Sequence, residues 1–339
     1  MTSFYMLLCE TEKMSHSWNI SNTKGITMKK LEPFIKRIIP KKYHQYFMGI
    51  YSYLRSFYYV GSRYECPFCS GHFRKFLPAG LNNPVLKDVV GGGYRLNAQC
   101  PRCNSGDRER LIYLYVKNKT DLLFTNNNIR LLHVAPEKNL QKVLSLKPNI
   151  DYISADLKSP LVMVKMDITN IKYEDNYFDV IICNHVLEHI PDDHRAMSEL
   201  YRVLKPNGWA ILQVPISVSL KKTYEDPMVT TPEEREKVFG QSDHVRIYAK
   251  DYKDRLENVG FYVDVYNIAN DLGDDAICRY GLLRDENIYI CSKPTERVFD
   301  GNLTGATLHN TTVICREESA QMTDLPDMLI GNRKNKIYK

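Results

Sequence analysis

The stretch 173–214 reads YEDNYFDVIICNHVLEHIPDDHRAMSELYRVLKPNGWAILQV and carries the clearest structural pattern in the chain. Its part FDVIICN is a short apolar run rich in β-branched residues, which is typical of a buried strand. An amphipathic segment from His194 to Leu204 predicts a helix, and the Pro and Gly that follow would end it. The next run, WAILQV, predicts another buried strand. A strand, a helix and a strand in this order predict two parallel strands joined by a crossover helix.

Apolar runs of the same kind lie on both sides of this stretch. They are LLHVA (131–135), YISAD (152–156), VMVKMD (162–167), FYVDVYNI (261–268) and NIYICSK (287–293). With the two runs above they make seven strands, several of them separated by helical stretches. This alternation predicts an α/β fold with a doubly wound, mostly parallel seven-stranded sheet that is covered by helices on both faces. We assign this domain to residues 119–294.

Four further segments surround this domain. They are an extension without clear periodicity that is predicted to be disordered (1–27), a basic, aromatic-rich helical segment (28–64), a cysteine-containing module (65–107) and a tail whose structure the pattern does not predict (295–339). The length of 339 residues, with 43% hydrophobic and 25% charged residues, suits a globular protein of about two domains. No uncharged apolar run reaches the roughly 18 residues that a membrane-spanning helix needs.

The cysteines and the first residues bear on the cellular compartment. Glu10 and Glu12 interrupt the apolar start of the chain, and no basic region precedes it, so we expect no signal peptide. The nine cysteines are odd in number and partly scattered, which favours the reducing cytoplasm over a disulfide framework.

The positive charge of the chain is concentrated in the segment 28–64. It carries eight Lys or Arg and one Glu, a charge of +7, whereas the whole chain has +6, so all other residues sum to −1. A nucleic-acid-binding surface over the whole protein is therefore not predicted. The Tyr and Phe residues of this segment would suit peripheral contact with an anionic membrane, stacking on RNA bases, or packing on the adjacent module. The pattern leaves these three interpretations open.

Two Cys-x-x-Cys pairs, Cys66-Pro-Phe-Cys69 and Cys100-Pro-Arg-Cys103, lie thirty residues apart. Each such turn directs two thiolates to one point, and two turns complete the tetrahedral set that Zn²⁺ prefers. The four cysteines therefore predict a structural zinc in a small N-terminal zinc-ribbon-like module. Four unlinked thiols, or a redox pair, are the alternatives.

The phrases FDVI, LEH and RVLKPNG within 173–214 occur in this order, and the stretch resembles class I S-adenosylmethionine-dependent methyltransferases of the type 11 group. The resemblance covers residues 120–294. It implies a Rossmann-like methyltransferase fold, S-adenosylmethionine as cofactor, and transfer of a methyl group.

The resemblance also implies cofactor contacts at strand ends, where parallel sheets bind ligands. Asp156, with its neighbour Leu157, would contact the ribose hydroxyls, and Asp167, with Ile168, would meet the adenine. Both aspartates could instead cap turns or helices.

The loop after the first strand departs from the family. The family has an acidic strand end and a glycine-rich loop, whereas this chain has HVAPEKN (133–139), without glycine. His133 and Ala135 would line the cofactor here, and Glu137 would pair with the methionine ammonium group. Asn184 and His185, after the fourth strand, would line the methionine side.

The long segment 215–255 is expected to border the acceptor. Its candidate acceptor-binding residues are Asp243, His244, Arg246 and Tyr248, which could alternatively form a structural hydrogen-bonded cluster. For a hydroxyl acceptor, His185 or His244 could be the base that takes the proton. His189 is expected to be structural.

The preferred function is O-methylation of a small molecule or a saccharide-type acceptor. Two alternatives stay open: an RNA base methyltransferase with a zinc module, and a non-catalytic cofactor-binding adaptor. The glycine-free loop is the only feature that favours the adaptor.

Overall fold

The computed structural model describes residues 43–295; the segments 1–27 and 28–42 and all but the first residue of the predicted tail lie outside the described residues. The helices are α1 (His44–Tyr58), α2 (Asp107–Lys119), α3 (Lys138–Ser145), α4 (Asp193–Val203), α5 (Pro232–Phe239), α6 (Tyr252–Glu257) and α7 (Ala269–Tyr280). Short 3₁₀ turns lie at Pro84–Leu86 and Leu187–His189.

The strands alternate with these helices over most of the chain. They are β1 (Val60–Cys66), β2 (Gly71–Phe73), β3 (Leu77–Ala79), β4 (Val89–Val90), β5 (Arg95–Gln99), β6 (Ile129–Val134), β7 (Ile150–Asp156), β8 (Val164–Lys165), β9 (Phe178–Asn184), β10 (Leu204–Gln213), β11 (Ile216–Ser217), β12 (Tyr224–Glu225), β13 (Arg246–Ile247), β14 (Tyr262–Tyr266) and β15 (Ile288–Ser292).

Seven of these strands form one sheet in the order β14-β15-β10-β9-β6-β7-β8. Strands β8, β7, β6, β9 and β10 run parallel, and β15 is antiparallel to both of its neighbours. The predicted α/β fold with a mostly parallel seven-stranded sheet is therefore confirmed. The chain adds β7 and β8 on one side of β6 and then β9 and β10 on the other. The order reverses between β6 and β9, which is where ligands bind in doubly wound sheets.

Hydrophobic clusters cover both faces of the sheet. Adjacent residues of β6 point to opposite faces, so Leu131 belongs to one cluster and Leu132 to the other. Helix α2 contributes Leu111 and Ile112 to the first, and helix α4 contributes Leu200 to the second. Burial on both faces explains why these strands have continuous apolar sequences instead of alternating ones.

Two local predictions need correction. Residues 60–64, predicted as the end of a helical segment, begin strand β1, where Tyr64 and Cys66 are buried and Glu65 between them is not. The alternation places one face of this strand on the aromatic core of the module. Strand β8 has only two residues, so Asp167 lies two residues beyond the strand that it was predicted to end.

The cysteine module consists of two small hairpins, β1–β2 and β3–β5, and residues 80–94 between β3 and β5 form a long connection that we call the insert. Strands β1 and β2 flank the first cysteine pair, and β5, paired with β3, leads into the second. The insert reaches the large domain, where its strand β4 pairs with β11. The side-chain amide of Asn83 donates to the carbonyl of Gly240 at 3.1 Å, and Leu86 packs in one cluster with Phe239.

A buried arginine joins the module to the sheet domain. The Arg110 guanidinium, in the first turn of α2, donates to the carbonyls of Ala98 and Ser105 in the module at 3.1 and 2.6 Å. It also donates to the carbonyls of Tyr280 and Gly281, at the end of α7, at 2.7 and 2.9 Å. Cations favour helix C-termini, and here one side chain satisfies carbonyls on both sides of the boundary.

We predict that Arg110→Ala lowers the free energy of unfolding by about 3–5 kcal/mol, because it leaves buried carbonyls without donors. Urea unfolding should show this as a lower midpoint. Lys117→Ala, an exposed change on the same helix, is the control and should leave the midpoint nearly unchanged. Equal midpoints for the two variants would contradict the role given to Arg110.

Candidate cofactor and acceptor site

Unpaired buried polar atoms are concentrated at the carboxyl edge of the sheet. Among residues 43–295, nine buried side-chain nitrogen or oxygen atoms have no hydrogen-bond partner. Six of these atoms are at this edge: one each in Asn184, His185, Glu188 and Gln213, and both carboxyl oxygens of Glu286. Native proteins pair nearly all buried polar atoms, so such a concentration calls for an explanation. An edge with unused donors and acceptors is suited to binding a polar ligand.

Glu137, in the loop after β6, is held by two neighbours. Its carboxylate lies 2.8 Å from Nε2 of His133 and accepts from the side-chain amide of Asn184 at 3.0 Å. Burial acts to raise the pKa of Glu137, but the contacts with His133 and Asn184 outweigh it and lower the pKa overall. The structure thus brings three of the predicted cofactor residues together between β6 and β9.

The glycine-free loop adopts a backbone conformation that glycine normally supplies. Ala135 has a φ of 47°, in the left-handed region, and its N–H donates to the carbonyl of Ala155 at 2.8 Å. The alanine methyl is the smallest side chain after glycine, so it places little bulk at this left-handed position.

Asp156 and Asp167 each use one carboxylate oxygen to hold a turn. Oδ1 of Asp156 accepts from the backbone N–H groups of Lys158 and Ser159 at 2.7 and 2.6 Å. Oδ1 of Asp167 accepts from the backbone and hydroxyl of Thr169, and this lowers the pKa of Asp167. One carboxylate oxygen of each aspartate therefore caps a turn, as the alternative interpretation of the sequence expected. The other oxygen makes no hydrogen bond within residues 43–295.

The neighbours of these aspartates have different surroundings. Leu157 is exposed beside Asp156, whereas Ile168 is buried in the core next to Asp167. Leu157 is thus available to a ligand at the sheet edge, and Ile168 packs instead on the domain interior.

His185 follows β9 with a φ of 54°, and its N–H donates to the carbonyl of Gln213 at 2.7 Å. Nδ1 of His185 lies 3.3 Å from Oε1 of Glu188, whereas its buried Nε2 has no partner among the described residues. Burial, together with the positive charges of Arg108 and Arg95, lowers the pKa of His185 well below its usual value. The imidazole is therefore neutral at pH 7.

His244 lies beside the turn that follows β9. Its ring is 4.7 Å from the ring of His189, and burial, followed by the effect of His189, lowers the pKa of His244 to about 4. Burial also raises the pKa of Glu188 to about 8. Asp243 is exposed, with Oδ2 3.3 Å from Nδ1 of His189.

Arg246 and Tyr248 lie inside the domain, away from solvent. Arg246 donates to the carbonyls of Leu187 and Pro191, each at 2.9 Å, and the Tyr248 hydroxyl donates to Asp193 at 2.6 Å. These contacts agree with the alternative given above, in which the four side chains form a structural hydrogen-bonded cluster and do not bind an acceptor. The expected acceptor contact would have to displace them.

A cavity lies next to this edge. Its polar lining includes Gln213, Ser217, Lys250, Glu286 and Asn287. Sequence reasoning missed Glu286, because no motif surrounds it and its neighbours come from distant segments. The insert approaches it at Gly91, which has a φ of 78° and where a Cβ would lie 3.0 Å from Oε1 of Glu286.

The four predicted metal ligands of the module also lie together. The sulfur atoms of Cys66 and Cys103 are 3.5 Å apart, and those of Cys69 and Cys100 are 3.8 Å apart. Zinc–sulfur bonds of about 2.3 Å in a tetrahedron place sulfur atoms about 3.8 Å apart. The donor set and its spacing therefore fit a tetrahedral zinc ion.

Comparison with known proteins places these residues in a family context. Residues 127–212 match the sequence model of a methyltransferase domain family, Methyltransf_11. The match supports a class I methyltransferase. The matched residues include the loop with Glu137, the end of β7 with Asp156, the end of β9 with Asn184, and the Leu187–His189 turn.

Curated relatives match over part of their length. A demethylmenaquinone methyltransferase from Lactobacillus johnsonii is 27% identical over 110 residues, which are 31% of this chain and 38% of that protein. The ubiquinone/menaquinone biosynthesis C-methyltransferase UbiE of Legionella pneumophila is 27% identical over 124 residues, 36% of this chain and 44% of that protein. The chain thus spans less than half the length of these relatives.

Solved structures are similar at low identity. Phosphoethanolamine N-methyltransferase 2 of Haemonchus contortus, in complex with S-adenosyl-L-methionine, gives a TM-score of 0.37 at 17% identity, over 56% of this chain and 53% of that one. The 1,6-didemethyltoxoflavin-N1-methyltransferase of Burkholderia thailandensis gives a TM-score of 0.35 at 12% identity, over 50% of this chain and 72% of that one.

We predict that Glu286→Gln removes part of the pH dependence of stability. Burial, aided by the nearby Asp107, raises the pKa of Glu286 to about 7 from 4.5. Between these values the folded state keeps a proton that the unfolded state has lost, so stability falls as the pH rises through this window. The loss reaches about 3 kcal/mol above pH 7, and the glutamine variant lacks it.

Urea unfolding of the wild type and of Glu286→Gln at pH 5, 6 and 8 measures this difference. Asp285→Asn, an exposed neighbour, is the control and should follow the wild-type curve. Parallel curves for the wild type and Glu286→Gln would mean that Glu286 titrates like an exposed carboxyl group.

Proposed function

We propose that this protein is an S-adenosylmethionine-dependent methyltransferase that methylates an oxygen of a small-molecule or saccharide-type acceptor. The observation that carries the proposal is the set of unpaired buried polar atoms of Asn184, His185 and Glu188, which follow β9 beside the point where strand order reverses. This point lies within the residues that match the methyltransferase domain family. The family match and the curated methyltransferase relatives support the cofactor.

The chain offers suitable groups for each part of the cofactor. The unused oxygens of Asp156 and Asp167 are acceptors for hydroxyl and amino hydrogens of the nucleoside. Glu137, kept anionic by His133 and Asn184, suits the ammonium group of the methionine part. When bound, S-adenosylmethionine supplies a methyl group on a positively charged sulfur.

The acceptor side requires a polar pocket and a proton acceptor. The cavity that Glu286 and Gln213 line is rich in groups that hydrogen-bond hydroxyls, which supports a hydroxyl-bearing acceptor. His185 is neutral at pH 7, and its unpaired Nε2 can take the hydroxyl proton. His244 is the second candidate base, with Asp243 beside it at the surface.

The comparisons do not favour RNA base methylation or a non-catalytic adaptor. The left-handed conformation of Ala135 supports the enzyme over the adaptor, because the loop adopts without glycine a conformation that glycine normally supplies. For residues 28–64 we keep peripheral membrane contact as a proposal. Helix α1 meets the module through Ser52 and Ser56, and it exposes Tyr53, Phe57 and other aromatic residues.

We also propose that Cys66, Cys69, Cys100 and Cys103 bind one structural zinc ion, on the strength of their spacing. We also propose a cytoplasmic location, on the odd number and scattered positions of the nine cysteines in the sequence. None of the helices within residues 43–295 has the length and hydrophobicity of a transmembrane segment.

We expect Asp156→Ala to weaken S-adenosylhomocysteine binding about tenfold or more, because a hydrogen bond to a charged group contributes about 1.5–3 kcal/mol. Isothermal titration calorimetry measures the affinity, and Asp167→Ala and Glu137→Gln should weaken it as well. Asp151→Ala, at the opposite end of β7, is the control. Wild-type protein that does not bind S-adenosylhomocysteine would refute the proposed function.

Metal analysis of the purified full-length protein should give about one zinc per chain. Cys100→Ser should lower both the zinc content and the yield of folded protein, because a structural zinc contributes folding energy. Cys278→Ser, at an exposed cysteine outside the cluster, should retain the zinc. Full zinc retention in Cys100→Ser would show that the four cysteines do not form the site.

A further inference from the structure

A second group of metal-binding side chains lies at the carboxyl edge of the sheet, apart from the four cysteines. Glu188 and His189 belong to the 3₁₀ turn after β9, and His244 belongs to the loop before β13. One donor atom from each residue lies within 4.8 Å of the others. Two imidazole nitrogens and one carboxylate oxygen form a donor set that divalent transition metals bind.

The burial of these groups leaves bonding capacity unused. Glu188 and His244 are almost fully buried, and Oε2 of Glu188 has no hydrogen-bond partner within residues 43–295. Oε1 of Glu188 faces Nδ1 of His185 at 3.3 Å. The side chain of His189 is 31% exposed, so an ion has access from solvent. A buried carboxyl oxygen without a donor, beside two imidazoles, is available as a ligand for a cation.

The surrounding residues hold the three side chains in place. Arg246 donates to the carbonyls of Leu187, Ile190 and Pro191 and thereby fixes the turn that carries Glu188 and His189. The N–H of Val245 donates to the carbonyl of Glu188 at 3.0 Å and ties the loop of His244 to that turn.

Asp243 provides an outer contact of the kind found around metal-bound histidines. Its carbonyl oxygen lies 3.2 Å from Nδ1 of His189, and its carboxylate oxygen lies 3.3 Å from the same nitrogen. Asp243 therefore fixes the His189 ring and adds a negative charge. That charge acts on Glu188 in the opposite sense to the positive charges of Arg108 and Arg246.

We propose that Glu188, His189 and His244 bind a divalent transition-metal cation. Ligands of a tetrahedral ion with bonds of about 2.0–2.1 Å lie about 3.3 Å apart, so side-chain shifts of about 1 Å close the site. Three protein ligands leave at least one position open for an oxygen ligand. An acceptor hydroxyl bound there would lie next to His185; this role rests on the proposed function, whereas the cation site does not.

Mn²⁺ is the probe for this site, because it prefers nitrogen and oxygen ligands to thiolates and so does not report on the four cysteines. Full-length protein is titrated with Mn²⁺, and free Mn²⁺ is measured by electron paramagnetic resonance. We expect one bound Mn²⁺ per chain. His189→Ala and Glu188→Gln should weaken binding at least tenfold, and His194→Ala, at an exposed histidine nearby, should leave it unchanged.

Co²⁺ absorption provides a second readout, since cobalt bound to thiolates gives charge-transfer bands that cobalt bound to imidazole and carboxylate lacks. Wild-type protein that binds neither Mn²⁺ nor Co²⁺ outside the cysteines would refute the proposal. Equal Mn²⁺ affinity in the wild type and His189→Ala would also refute it. Should Glu188→Gln fail to fold by circular dichroism, His189→Ala decides alone, because that ring is partly exposed.

S-adenosylhomocysteine binding is measured on the same samples. Binding of S-adenosylhomocysteine without any Mn²⁺ binding refutes the cation site and leaves the proposed function intact. Mn²⁺ binding without S-adenosylhomocysteine binding supports the cation site and refutes the proposed function.

Discussion

Buried charges in the first turn of α2 determine how the two parts of this protein are joined. Three of the four residues of this turn, Asp107, Glu109 and Arg110, are charged and buried. A buried charge is tolerated only when it is paired or hydrogen-bonded, so each of these residues needs a fixed partner. Asp107 pairs with Arg95 of the module, whereas Arg110 binds carbonyls on both sides of the boundary. A different docking angle would leave one of them unpaired.

The same turn supports the cofactor loop. Glu109 accepts from the backbone N–H groups of Asn139 and Leu140 at 2.6 and 2.9 Å, which are otherwise unpaired donors at the start of α3. The loop with Ala135 and Glu137 directly precedes this helix. Glu137, at the N-cap position of α3, makes no capping hydrogen bond, because its side chain binds His133 and Asn184 at the sheet edge. The Glu109 carboxylate of α2 therefore takes the place of the ordinary capping side chain of α3.

The parts that could be predicted from the sequence are those that depend on local pattern. Continuous apolar runs identified the central strands β6, β9 and β10 because these are buried on both faces of the sheet. Strand ends identified Asp156 and Asn184, since parallel strands end at one edge. Glu286 could not be found in this way, because its position depends on Gly91 and Gln213, which are far away in sequence. Likewise, the pairing of Tyr248 with Asp193, 55 residues away, has no local signal.

The contacts between the insert and the large domain also set an order for folding. Asn83 bonds to Gly240 across 157 residues, and Arg110 bonds to Gly281 across 171. During synthesis the module leaves the ribosome first, but the surface on which it docks is made last. Contacts of such large sequence separation form slowly, because the chain entropy must be lost before they are made. Until β11 and Gly240 have emerged, the insert lacks its partners on the large domain. Until residue 281 has emerged, Arg110 lacks two of its four carbonyl partners, and the nascent chain exposes these groups to its surroundings.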